Sequence, residues 1–166
     1  MTPEFHRPFA VDRIGEGADQ PVEATPAECA ALAARLLIPA VLALSCRFHL
    51  RPIGRGAILA EGELRARVRR DCVVTLDPFD MKLREAFRIR FVPAGRESND
   101  EDPDSDDEIS YDAATIDLGE ATAEQLALAL DPYPRKPDAV LPELEHDAEP
   151  SPFARLARLR PPEDPE

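Results

Sequence analysis

Three stretches of the chain alternate apolar and polar residues with a period of two, the mark of strands with one face buried. In residues 41–52, Leu42, Leu44, Cys46, Phe48 and Leu50 fall on one face, and Ala43, Ser45, Arg47, His49 and Arg51 on the other. Residues 57–70 set Ile58, Ala60, Gly62, Leu64, Ala66 and Val68 inward against Leu59, Glu61, Glu63, Arg65, Arg67 and Arg69. Residues 82–92 place Leu83, Phe87, Ile89 and Phe91 inward and Arg84, Arg88 and Arg90 outward. Gly54-Arg55-Gly56 supplies the first turn. A hairpin symmetric about Arg55 sets His49 opposite Glu61, Arg47 opposite Glu63 and Leu44 opposite Ala66, so that charges match and apolar residues meet. A second turn at Asp77-Pro78 sets Arg70 opposite Glu85 and Asp71 opposite Arg84, with Glu85 at the end of the sheet. It also leaves Arg67 facing Arg88 and Arg65 facing Arg90.

Helices are signalled on either side. Thr25-Pro26-Ala27-Glu28 is a capping box with proline at the first helical position, opening a helix that runs from Pro26 to Leu37 and stops at Pro39. Phe5–Val11 reads as a first strand and Ile116–Gly119 as a short late one. Thr122 and Gln125 form a second capping box, for a helix ended by Pro132 and Pro134. These elements predict an α+β fold: a curved antiparallel sheet with two helices covering its apolar face. The strand lengths also fit a barrel-like closure.

Charge changes the picture. The 166 residues carry a net −13, but the acids and bases are segregated. Residues 40–95 hold a net +5, whereas residues 96–112 hold −8. So dense an acidic run repels itself and buries nothing, which predicts a disordered loop over 96–112. The predicted organisation is one domain over 1–137, then an acidic, proline-rich tail over 138–166 with a short helix near 152–160 (PFARLARLR).

The predicted outer sheet face gathers Arg47, Arg65, Arg67, Arg69, Arg88 and Arg90. Three readings stay open for it. It is a solvated face, covered or not by the acidic loop; a phosphate-binding face for RNA; or a docking site for an acidic protein. Outward aromatics are few, so stacking on single-stranded bases is not indicated.

Catalytic signatures are missing. The chain has no phosphate loop, no GxGxxG, no GxSxG and no HExxH, and its carboxylates cluster where no fixed geometry is expected. Three spaced cysteines, Cys29, Cys46 and Cys72, argue for a reducing compartment, and no run is long and apolar enough for a membrane helix. A non-enzyme without cofactor is expected.

Two motifs then carry a resemblance. RRDCVVTLDPF (69–79) contributes Cys72, Leu76, Pro78 and Phe79. After the acidic insert, IDLGEATAEQLALALDPYPRKP (116–137) contributes Asp117, Leu118, Gly119, Glu120, Gln125, Pro132 and Pro134. Over roughly residues 3–137 the chain resembles the bacterial YceD family, the large ribosomal RNA subunit accumulation proteins. The resemblance implies a cytoplasmic, non-catalytic ribosome-biogenesis factor that supports synthesis, processing or accumulation of 23S rRNA, with that rRNA or a pre-ribosomal particle as partner and no membrane. The alternative is a protein–protein adaptor whose basic face and C-terminal helix dock partner proteins. Many relatives carry further cysteines at zinc spacing. Here Val73, Val74 and Thr75 follow Cys72 and PYPRKP brings no thiol, so no metal is expected, and Leu76 and Phe79 are expected to tighten that end by packing.

Overall fold

The computed structural model describes residues 3–97, 106–112 and 114–140; the predicted tail helix at 152–160 lies outside them. Strands β1 (Pro8–Ala10) and β2 (Ala18–Glu23) precede helix α1 (Pro26–Arg35). Three long strands follow, β3 (Ala40–Gly54), β4 (Ala57–Asp71) and β5 (Pro78–Pro93). The described chain then forms β6 (Asp107–Tyr111), β7 (Thr115–Asp117) and helix α2 (Leu118–Ala129).

The α+β class with two helices holds, but the predicted sheet does not. Strands β2 to β6 form one open sheet in chain order, and β6 runs parallel to β5, so the sheet is mixed rather than antiparallel. It neither closes nor curls strongly. Barrel closure needs the two edge strands to pair with each other; here β2 pairs with β3 and β6 with β5, and among the described residues β2 and β6 do not pair with each other. β1 and β7 form a separate two-stranded ribbon.

The first hairpin keeps the predicted register, with His49 opposite Glu61, Arg47 opposite Glu63 and Leu44 opposite Ala66. A bulge between Val41 and Ala43 shifts the start of β3, so that Val41 rather than Leu42 is buried. The second hairpin is offset by six residues from the expected pairing: Arg65 stands opposite Arg84, Arg67 opposite Lys82 and Glu61 opposite Arg88. The turn lies at 72–77, ahead of Asp77-Pro78, closed by Leu76 N–H to Cys72 O (2.8 Å) and Cys72 N–H to Asp77 O (2.9 Å). An even offset keeps every side chain on its predicted face. Glu85 therefore stays in the inward column, opposite Leu64 in mid-strand rather than at the sheet's end, and it is exposed.

One strand was not predicted, and two other expectations change. β2 carried no clear alternation; its Pro21 sits on an edge strand, where the missing N–H costs no ladder bond. α2 begins one turn earlier than predicted. Asp117 caps it, accepting from Gly119 and Glu120 N–H, and Thr122 lies inside, donating to Leu118 O at 2.6 Å. Part of the supposedly disordered acidic run is strand β6, because Ile109 and Tyr111 pack on the core while the acids beside them meet arginines of β5.

Both helices lie on the inner face. α1 has the predicted capping box and buries Cys29, Leu32 and Ala33, while α2 buries Leu118, Ala121 and Leu126. Arg35 joins them through a bidentate pair with Glu120 (2.6 and 2.9 Å). Arg7 holds Glu28 of α1 with a second fork (2.7 and 2.8 Å), which pulls the Glu28 carboxyl down to about 2. Below them Phe48 is fully buried, edge-on to Phe87 at 5.7 Å between centroids. Burial of one such ring contributes ~1.5–3 kcal/mol.

Candidate nucleic-acid interface

The helices occupy the inner face, and among the described residues no element covers the outer face of β2–β6. Alternation along each strand decides which side chains reach it, and the cross-strand register decides which of them meet. The structure divides the six predicted arginines into two groups.

Arg88 and Arg90 are neutralised by the chain itself. Arg88 Nε donates to Asp106 at 2.7 Å, and Arg90 is ion-paired with Glu108. These acids come from the run expected to be structureless. Asp19, Arg47, His49, Glu61 and Arg88 line a groove of about 500 Å³ over this end, so acids and bases alternate there.

Toward the 72–77 turn the acids thin out. Arg65 stands opposite Arg84 and Arg67 opposite Lys82, all four exposed. Among the described residues no carboxylate forms an ion pair with Arg67, Lys82 or Arg84, and Arg65 has only a loose, exposed contact to Glu63 at 3.5 Å. Such a contact is worth ~0–1 kcal/mol. Arg69 is held by Asp80 (2.7 Å), whose carboxyl lies below its ordinary range because of Arg69, with Arg67 adding to the pull. Arg47 lies across the face opposite Glu63, in a groove of about 280 Å³ shared with Arg65. The outer face thus has a polarised layout: a cationic block of Arg65, Arg67, Lys82 and Arg84, and a mixed, paired end at Arg88 and Arg90. Lys82 and Arg84 were missed as site residues because the misplaced second turn paired Arg84 with Asp71. Their outward alternation was the signal that could have found them.

The motif residues fall into two places, one at the 72–77 turn and one at the start of α2, and most of them make contacts within the fold. Cys72 is buried; its Sγ accepts from Lys136 N–H (3.4 Å), and this bond, with smaller contributions from Thr75 and Val74, brings the thiol down to about 7. Pro134 is buried and its carbonyl accepts from Val73 N–H (3.0 Å), which ties the chain after α2 to the turn. Leu76 does not tighten this end: it is 78 % exposed, with φ of 60°. Phe79 is half-buried opposite Arg70, and Pro78 opens β5. Asp117 also accepts from Arg7 N–H (2.8 Å) and pairs with His6. Leu118 and Gln125 are buried, Glu120 holds Arg35, and Pro132 is exposed. Gly119 is required by close approach: a Cβ there would lie 2.4 Å from Phe5 O. Among the described residues no three His, Cys, Asp or Glu side chains converge on a metal-sized space, and no helix is long and apolar enough to cross a membrane.

A family model described as large ribosomal RNA subunit accumulation protein YceD matches residues 60–160, from within β4 past α2. No curated protein and no solved structure matches the chain.

Proposed function

Because the chain belongs to the family of the large ribosomal RNA subunit accumulation protein YceD, we propose that it is a non-catalytic ribosome-biogenesis factor that contacts 23S rRNA, or a precursor particle, through the outer sheet face. It acts in the cytoplasm, with residues 1–137 as its working unit. The observation that carries this reading is the block of Arg65, Arg67, Lys82 and Arg84, held laterally adjacent on β4 and β5, where the one described ion pair is the loose, exposed contact of Arg65 to Glu63. Like charges directly opposite each other in a sheet cost stability. A polyanion crossing the two strands removes that cost and releases its own counterions. Strands set ~4.8 Å apart, with side chains repeating every ~6.6 Å along each, offer the spacing to meet successive phosphates. Arg47 and Arg69 flank the block as secondary contacts. Arg88 and Arg90 contribute less, because Asp106 and Glu108 already occupy their donors. The contacts expected are to backbone phosphate, which position the protein without reading sequence.

The test is binding of the full-length protein to large-subunit rRNA over a range of salt. R65E/R84E is expected to weaken binding by at least tenfold and to lower the slope of log affinity against log salt by about 2, one per phosphate contact. R88Q/R90Q is expected to do much less. Affinity equal in all three proteins would refute the sheet-face reading.

A further inference from the structure

One edge of the sheet is only partly used. β5 spans Pro78–Pro93, and β6 pairs with Ile89–Pro93 alone. Among the described residues no strand pairs with the other side of Pro78–Arg88, so alternate backbone N–H and C=O groups there point away from the sheet. The side chains along this edge are sorted by face. On the outer side Lys82 and Arg84 are exposed. On the inner side Met81, Leu83 and Phe87 are half-buried against the core, and Glu85 stands exposed among them.

The occupied part of the edge shows what β5 accepts. β6 runs parallel to it, with Glu108 opposite Arg90 and Ile109 opposite Phe91. Glu108 is ion-paired with Arg90, Asp106 just ahead of β6 is ion-paired with Arg88, and Ile109 and Tyr111 pack on the core. The neighbour of β5 is thus acidic on its outer face and apolar on its inner face. The open part repeats that demand, with cations outside and apolar side chains inside, and Glu85 adds one place for a base. Cations alone blunt an edge against pairing. They do not account for three half-buried apolar side chains along the same rim, which a further strand would cover.

We propose that Pro78–Arg88 is a docking edge for an extended segment of a partner protein, added parallel to β5 and in line with β6. The partner segment carries acids facing Lys82 and Arg84, apolar residues facing Met81, Leu83 and Phe87, and a base facing Glu85. Main-chain hydrogen bonds supply the affinity, and the alternating side chains select the partner. A second copy of this chain fits poorly. Symmetric antiparallel pairing centred on Leu83, Arg84 or Glu85 sets Lys82 against Arg84, Arg84 against itself or Glu85 against itself. The contact shares Lys82 and Arg84 with the rRNA reading but does not rest on it, and its test contains no RNA.

The test is amide hydrogen exchange over Phe79–Arg88 in the full-length protein at low salt, with and without the synthetic peptide Val-Glu-Val-Glu-Lys-Glu-Val-Glu. The expected result is that alternate amides of this stretch exchange about tenfold more slowly with the peptide bound. Two forms of the peptide, N-methylated at its odd or at its even amides, should differ. One keeps the protection and the other loses it, because only one edge of the peptide meets β5. K82E/R84E should lose the response to the original peptide and gain one to the peptide whose first two glutamates are lysines, a gain that a misfolded variant cannot show. Equal exchange with and without the original peptide overturns the proposal. Equal protection by both N-methylated forms also overturns it, since that is charge attraction without strand pairing. Protection of these amides before any peptide is added does the same, because the edge is then already covered.

Discussion

Arg67 and Lys82 stand directly opposite each other on β4 and β5, and no described carboxylate forms an ion pair with either. A sheet selected for stability alone would place opposite charges there. K82E should therefore leave folding stability unchanged or raise it by about 0.2–1 kcal/mol, read by thermal unfolding at low salt. The same variant should bind large-subunit rRNA more weakly. Loss of stability together with loss of binding would mean that Lys82 acts through the fold and not through contact.

Gly62 lies beneath the ring of Phe87. A Cβ built at position 62 would come 2.2 Å from Phe87 Cζ, in the layer where that ring meets Phe48. G62A should lower stability by about 1–3 kcal/mol through overpacking. G62A/F87L should recover part of the loss in denaturant titrations. An additive double variant would show that the clash is relieved elsewhere.

Glu28 gives the fold an acid-sensitive joint. Arg7 is the main reason its carboxyl lies at about 2 in the folded chain, with the Thr25 cap adding to the shift. A depressed folded value means stability that is present above the ordinary carboxylate range and lost as pH falls from about 4.5 toward 2. E28Q should lower stability at pH 7 and show a shallower decline across that window. Parallel pH–stability curves for the two proteins would contradict the assignment.

Asp117 serves three partners at once: the first turn of α2, the Arg7 backbone and His6. D117A should cost about 1–2 kcal/mol from the cap alone. D117N keeps an acceptor oxygen and should lose less. Binding to rRNA should change in neither variant once each is compared in its folded state, because Asp117 ties the start of α2 to the N-terminal segment and is not one of the outer-face cations.

Sequence legibility followed the physics of each element. The Thr25 capping box and the first hairpin were readable because both are local: a hydroxyl and a carboxylate three residues apart, and a glycine-flanked turn that leaves one register with matched charges. The second hairpin was not. Two registers six residues apart keep the same faces, and the one with paired charges at its ends looked better. The true turn uses Leu76 at positive φ and is held by Pro134 and Lys136, some sixty residues further along the chain. Strand β6 was hidden because its acids forbid burial only until arginines of β5 stand beside them.

By itself the amino-acid order determined which side of each long strand faces water over most of its length, since a period of two divides these residues one way; the start of β3, where a bulge buries Val41 in place of Leu42, departs from it. It therefore also determined that the basic side chains would share one surface. Which of them stand together, and which are silenced by the chain's own carboxylates, depended on cross-strand register and on a parallel edge strand. Those are set by contacts between distant segments, where packing and long-range hydrogen bonds outweigh any preference of the local sequence.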